Sequence, residues 1–73
     1  MVGPMTQDEV IQGCANRPIT SGAFREFLLN VPIKTIQDIE LFKQRLHQAA
    51  GWDHLVEAQP GSDRITILRQ DVG

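Results

Sequence analysis

The first apolar positions of the chain recur at helical spacing. They follow Thr6–Glu9, a capping box in which the threonine hydroxyl and the glutamate each accept a backbone N–H at a helix start. The helix should end before Pro18, because the residue ahead of a proline is pushed out of the α region. The pattern predicts a first helix over about residues 7–15. Its apolar face comprises Val10, Ile11 and Cys14.

A second apolar stripe follows, and its residues lie at i, i+3 and i+4: Phe24, Phe27 and Leu28. With Thr20 or Ser21 as the N-cap and Asn30 as the C-cap, this spacing predicts a second helix. Pro32 then forces an extended turn. Because proline is tolerated in an edge strand, the segment 30–33 is compatible with a short extra strand near residue 31.

The longest helical pattern begins at Thr35 and runs to about Ala50, with Gly51 as a left-handed stop. Lys43 and His47 lie one turn apart on the margin of its apolar face, whereas Arg45 points elsewhere. The apolar face comprises Ile36, Ile39, Phe42, Leu46, Ala49 and Ala50.

Two strand-like runs, residues 55–59 and 64–69, flank the turn-forming segment 60–63 and predict a β-hairpin. A lone hairpin is marginal in water, so it should pack on the third helix. The sequence therefore predicts an α+β fold of three helices followed by a C-terminal hairpin. We expect one domain over residues 6–70, between a flexible leader, 1–5, and a flexible tail, 71–73.

Composition narrows the class of protein. With 73 residues the chain has room for one domain. Cys14 is the single cysteine, so an intramolecular disulfide is impossible, and this favours a reducing, intracellular and cytoplasmic location. No apolar stretch approaches the roughly 18 residues of a membrane helix, and the start lacks the regions of a signal peptide.

The sequence contains no catalytic constellation. His47 and His54 have no cysteine or carboxylate at metal-ligand spacing, and the glycines are isolated rather than arranged in a phosphate-binding loop. Trp52, which follows the helix stop, is expected to cover the core beside the hairpin. We therefore predict a binding protein without enzymatic activity, metal or cofactor.

Segment 41–69 carries a basic residue, Lys43, three residues and then His47 on one helix, followed by a short strand, an acidic turn and Arg64–Ile67. This run resembles the Arg-xxx-His family of single-stranded nucleic-acid-binding domains. The resemblance covers about 40% of the chain and departs from the family at Lys43, where the family has arginine. It implies a nucleic-acid-binding module without a catalytic centre.

The chemistry of these residues agrees with that implication. A cation and an imidazole one helical turn apart can contact adjacent phosphates. The net charge of −2 and the pI near 5.5 run against a broad basic surface, but a local one remains possible because residues 34–69 are neutral in sum. The expected contact residues are Lys43, His47, Arg45, Arg64 and Arg69.

Two other functions use the same elements. In a winged-helix DNA-binding domain, the second helix would support the third. The third helix would enter the DNA groove, and the hairpin would form the wing. In a protein-interaction or homodimerisation module, a partner would extend the hairpin edge or pack on surplus apolar surface. That apolar surface would comprise Phe24, Leu28, Leu29 and Val31.

Overall fold

The computed structural model describes residues 3–51 and 54–70, in the element order α1, β1, α2, β2, β3. The bounds are α1 Gln7–Asn16, β1 Phe24–Leu28, α2 Ile36–Ala50, β2 His54–Glu57 and β3 Arg64–Arg69. The strands form one antiparallel sheet in the order β1-β3-β2, so the last strand is the central one. The predicted α+β class and the hairpin are confirmed.

The helix boundaries follow from local chemistry that the sequence displays. The Thr6 hydroxyl accepts the Glu9 N–H at 3.1 Å, and the Glu9 carboxylate accepts the Thr6 N–H at 3.0 Å, which completes the predicted capping box. Thr35 caps α2 in the same way, because its hydroxyl accepts the Asp38 N–H at 3.1 Å. Gly51 ends α2 in the left-handed region, with φ of 71°.

The prediction of three helices is wrong, because residues 24–28 form β1 and not a helix. The apolar residues here have helical spacing, but pairing with β3 makes the segment extended and distributes them over both faces of the sheet. Phe27 lies opposite Ile65 on the side that faces the helices, while Phe24 and Leu28 point to the other side. A helical stripe would have buried all three of those side chains together, whereas only Phe27 is buried.

The third strand also lies earlier than the predicted strand near residue 31. The segment 30–33 belongs to none of the three strands of the described chain. It is held by Ile33, whose side chain is buried and whose carbonyl accepts the Gly61 N–H at 2.7 Å. Just before it, Leu29 forms a parallel bridge with Met5, a residue that the sequence assigned to the leader. Residues 71–73 and Trp52 lie outside the described residues.

One core joins the helices to one face of the sheet. The strands contribute alternate residues, such as Ile65 and Ile67 of β3, which are fully buried. The buried side chains are Val10, Ile11, Cys14, Ile19, Phe27, Leu29, Ile33, Ile39, Phe42, Leu46, Val56, Ile65 and Ile67. Both helices therefore lie on one side of the sheet, and no described element packs on its other side, the outer face.

A winged helix requires two consecutive helices that form a helix-turn-helix. In the described residues β1 stands between α1 and α2, so α2 has no supporting helix immediately before it in the chain. The winged-helix alternative loses its structural basis with the correction of the second helix.

Candidate functional site

A shallow groove lies between α2 and the start of β2, with a volume of about 380 Å³. Its α2 residues form two pairs, Lys43 with His47 and Gln44 with Gln48, and the members of each pair are four residues apart on the same side of the helix. The chain reverses after Gly51, and His54 at the start of β2 lies opposite them. Each lining side chain carries a hydrogen-bonding group. We call this region the α2–β2 groove, and its lining residues are Lys43, Gln44, His47, Gln48 and His54.

The two histidines form a tilted ring pair in the groove. The ring centroids of His47 and His54 lie 5.8 Å apart with an interplanar angle of 38°. The described residues contain no group of three histidine, cysteine or carboxylate side chains that would hold a metal ion. Each imidazole ring carries two nitrogen atoms that can take part in hydrogen bonds.

Lys43 supplies the ammonium group of the groove. Its nitrogen lies 3.5 Å from the Glu40 carboxylate, one helical turn away, and both side chains are substantially exposed. An exposed pair of this kind contributes at most about 1 kcal/mol, so an anionic ligand can compete for the lysine. The groove thus combines one ammonium and two imidazoles on a small concave surface.

The structure separates the other predicted cations. Arg45 forms an ion pair with Asp8 of α1, away from the groove. Arg64 lies on the outer face of the sheet, where its guanidinium is 3.3 Å from the Glu26 carboxylate. Of the five predicted contact residues, Lys43 and His47 share the groove, while Arg45 and Arg64 do not.

Arg69 holds an intermediate position. It is the register partner of His54 in the β2–β3 pair, so the two residues lie side by side on the helix-facing side of the sheet. Its guanidinium donates to the Ile19 carbonyl at 3.0 Å, which ties the end of β3 to the loop after α1. Arg69 therefore stands next to one wall of the groove and also has a structural contact.

Sequence reasoning did not place His54 beside Lys43 and His47. It considered His54 with His47 as a candidate metal pair, seven residues apart, and found no third ligand. The available signal was the helix stop between them, since a chain that reverses at Gly51 returns beside the last turn of α2. The side of the helix to which it returns is set by the sheet.

The four residues of the predicted apolar surface do not share one face of the protein, because residues 24–28 form the strand β1. Leu29 is buried, with 3% of its surface exposed, and belongs to the core. Phe24 and Leu28 lie on the outer face, and Val31 is exposed in the turn that follows. Of the four predicted partner-binding residues, three are accessible and one is not.

Strand register adds two residues that the sequence did not indicate. Leu68 of β3 lies between Phe24 of β1 and Leu55 of β2 on the outer face. Phe24 is 66% exposed and Leu55 44%, although a domain of this size has few large apolar groups to spare. We call Phe24, Leu68 and Leu55 the apolar row.

A second row crosses the strands beside the first. Thr66 lies between Glu26 of β1 and Glu57 of β2, again on the outer face. Glu26 pairs with Arg64, whereas Glu57 has no ion-pair partner within residues 3–51 and 54–70. We call Glu26, Thr66 and Glu57 the acidic row. The outer face therefore carries two carboxylates and one guanidinium.

Cys14 has the environment of a core residue and not of a nucleophile. It is fully buried in α1. Burial raises the pKa of its thiol above the ordinary value of 9.0, and the nearby Arg25 guanidinium offsets part of that rise. A thiol held in its protonated form is a poor nucleophile.

Neither helix of the described residues is long and apolar enough to cross a membrane. The comparisons with known proteins gave no match: no family model, no curated protein and no solved structure corresponds to this chain.

Proposed function

We propose that this chain is a small, non-enzymatic nucleic-acid-binding module that contacts the phosphates of a single strand through the α2–β2 groove. The observation that carries the proposal is the juxtaposition of Lys43 and His47 with His54 in one open concavity lined by hydrogen-bonding side chains. Hydrogen-bond donors with positive charge are the groups that recognise phosphate oxygens. The resemblance to the Arg-xxx-His family rests on two of the same residues, Lys43 and His47.

The expected binding is local and modest. Lysine meets a phosphate as a point charge and lacks the two-pronged geometry of arginine, so Lys43 gives attraction with little orientation. With a chain net charge of −2, no broad field adds to the groove. For about two phosphate contacts on a single strand, a fourfold rise in salt should weaken binding roughly sevenfold.

The test is a titration of the folded protein with short single-stranded DNA and RNA, followed by backbone amide shifts in NMR spectra at low and then raised salt. Shifts should concentrate at the α2–β2 groove and fade with salt. Lys43→Ala and His47→Ala should weaken binding. Arg45→Ala and Arg64→Ala are matched controls, because each removes one positive charge outside the groove.

Two outcomes would contradict the proposal. One is the absence of shifts at high oligonucleotide concentration. The other is an equal loss of affinity for all four variants, since that would mean that total charge and not the groove governs binding. Salt dependence also separates phosphate binding from an apolar interface, which salt does not weaken steeply.

A protein-interaction function is the second candidate, and one specific observation favours it. In the apolar row, Phe24 and Leu55 are exposed and Leu68 between them is half-buried, and no described element covers the row. An antiparallel sheet with one solvated face usually carries polar residues there, so an apolar row across all three strands indicates a contact surface. The two functions use opposite sides of the sheet.

A further inference from the structure

We propose that the outer face docks a basic amphipathic helical segment of a partner protein, with its apolar stripe on the apolar row and its cations on the acidic row. This inference rests on the protein-interaction function and is independent of the groove. Three features carry it: the apolar row, the adjacent acidic row, and the small size of the face.

The length of the apolar row fits two turns of a helix. Strands in a sheet lie about 4.8 Å apart, so Phe24, Leu68 and Leu55 span about 10 Å across the strands. Residues at i, i+4 and i+7 of a helix span about 10.5 Å along its axis. A helix lying across the strands therefore places one apolar side chain on each strand.

The acidic row defines the charge of that helix. Glu26 and Glu57 lie two residues further along their strands than Phe24 and Leu55, a distance of about 7 Å. Lysine or arginine side chains on one flank of the docked helix reach that distance. Because Arg64 already pairs with Glu26, the carboxylate open to such a cation is that of Glu57.

The size of the face disfavours a second copy of this chain as the occupant. Three strands of about five residues present roughly 14 by 17 Å, or about 240 Å² in projection. A stable interface between globular proteins buries about 800 Å² on each partner. A short helix, whose contact area is smaller, matches the face better.

The probes are two designed amphipathic helical peptides with the same leucine stripe, one with lysines along one flank and one with glutamates there. Binding to the full chain is measured by NMR amide shifts and by the gain of peptide helicity in circular dichroism. The lysine peptide should shift the amides of the apolar row and gain helicity. The glutamate peptide should bind at least about fivefold more weakly.

Variants of the chain separate the contacts from general effects. Phe24→Thr keeps a strand-compatible residue and should weaken the lysine peptide about tenfold or more. Leu41→Gln is its control, since Leu41 is an exposed leucine on α2. Glu57→Lys should reverse the preference between the two peptides, whereas the same reversal at the exposed Glu40 should leave it unchanged.

Several outcomes would overturn the inference. Equal binding of both peptides would still support a protein-interaction face, but it would contradict the inference that the partner is basic. Binding without gain of helicity, with shifts along the outer edge of β1 or β2, would replace helix docking with strand addition. Self-association in sedimentation equilibrium that Phe24→Thr abolishes would assign the face to a second copy. If neither peptide binds, both the helix-docking inference and the protein-interaction function of this face are contradicted. The proposal of nucleic-acid binding in the α2–β2 groove would be unaffected.

Discussion

Gly51 donates its backbone N–H to the carbonyl oxygen of His47 at 2.9 Å, and this bond ends α2 where the chain turns back towards the groove. Gly51 reaches this geometry with φ of 71°, a conformation that costs a residue with a side chain about 1–2 kcal/mol. The glycine therefore contributes to the stability of α2 and to its termination at Ala50.

The first prediction compares two glycines. Gly51→Ala should lower the free energy of unfolding by about 1–2 kcal/mol, although a methyl group there would meet no neighbouring atom. Gly13→Ala, in the interior of α1 with equal free space, should raise it by about 0.5–1 kcal/mol. Urea denaturation of both variants checks the opposite signs. A shared sign would show that side-chain space and not backbone conformation decides the effect.

The second prediction concerns two leucines of α2. Leu46→Ala should destabilise the protein by about 2–5 kcal/mol, because its side chain is fully buried in the core. Leu41→Ala, on the exposed side of the same helix, should change the stability by less than about 0.5 kcal/mol. Denaturation midpoints of the two variants test which side of α2 faces the sheet. Similar losses would contradict the orientation of the helix.

The third prediction tests the helix caps. Thr6→Ala and Thr35→Ala should each cost about 1 kcal/mol, because each leaves one backbone N–H at a helix start without its acceptor. Thr20→Ala provides the control, since Thr20 caps neither helix and is exposed. Thermal unfolding of the three variants gives the comparison. Equal behaviour of Thr20→Ala and the cap variants would argue against capping.

The fourth prediction follows from the buried Cys14 thiol. Because burial raises its pKa above 9.0, the folded state keeps the proton over a pH range in which the unfolded chain has lost it. The contribution to stability is complete below pH 9.0 and is lost as the pH rises through the pKa of the folded state. The unfolding free energy, measured from neutral to alkaline pH, should therefore begin to fall as the pH rises above 9.0.

Two controls accompany the cysteine measurement. Cys14→Ala should be less stable at neutral pH but should lack this part of the alkaline decline. A thiol reagent at neutral pH should modify Cys14 only as fast as the protein opens, because the side chain is inaccessible. Rapid labelling under native conditions would contradict the burial of the thiol.

Much of the fold could be predicted because its signals are local. The capping box, the Gly51 stop and the turn between β2 and β3 each depend on a few adjacent residues. The strand β1 could not be predicted, since Phe24, Phe27 and Leu28 have helical spacing and the partner that makes the segment extended is β3, far along the chain. Long-range pairing therefore explains the correction, and the predicted caps at Thr20 or Ser21 and at Asn30 are wrong together with the helix.

The residues of the candidate site also differ in whether local spacing or long-range packing determines their positions. Lys43 and His47 are neighbours on one helix, so their spacing alone places them together. The positions of His54, Arg45 and Arg64 depend on how α1, α2 and the sheet pack, which sequence spacing does not specify. The apolar row depends on strand register, because Phe24 and Leu55 become neighbours of Leu68 only in the folded sheet.

The central place of β3 has a consequence for the order of folding. β1 and β2 both hydrogen-bond to β3 and not to each other, so neither has a strand to pair with until β3 has been synthesised. The two helices can form as they leave the ribosome, but sheet formation must wait for the end of the described chain. Such long-range pairing slows folding relative to local contacts. A nascent chain halted before Arg64 should therefore contain helical segments but no sheet, and its apolar strand residues would need protection until β3 arrives.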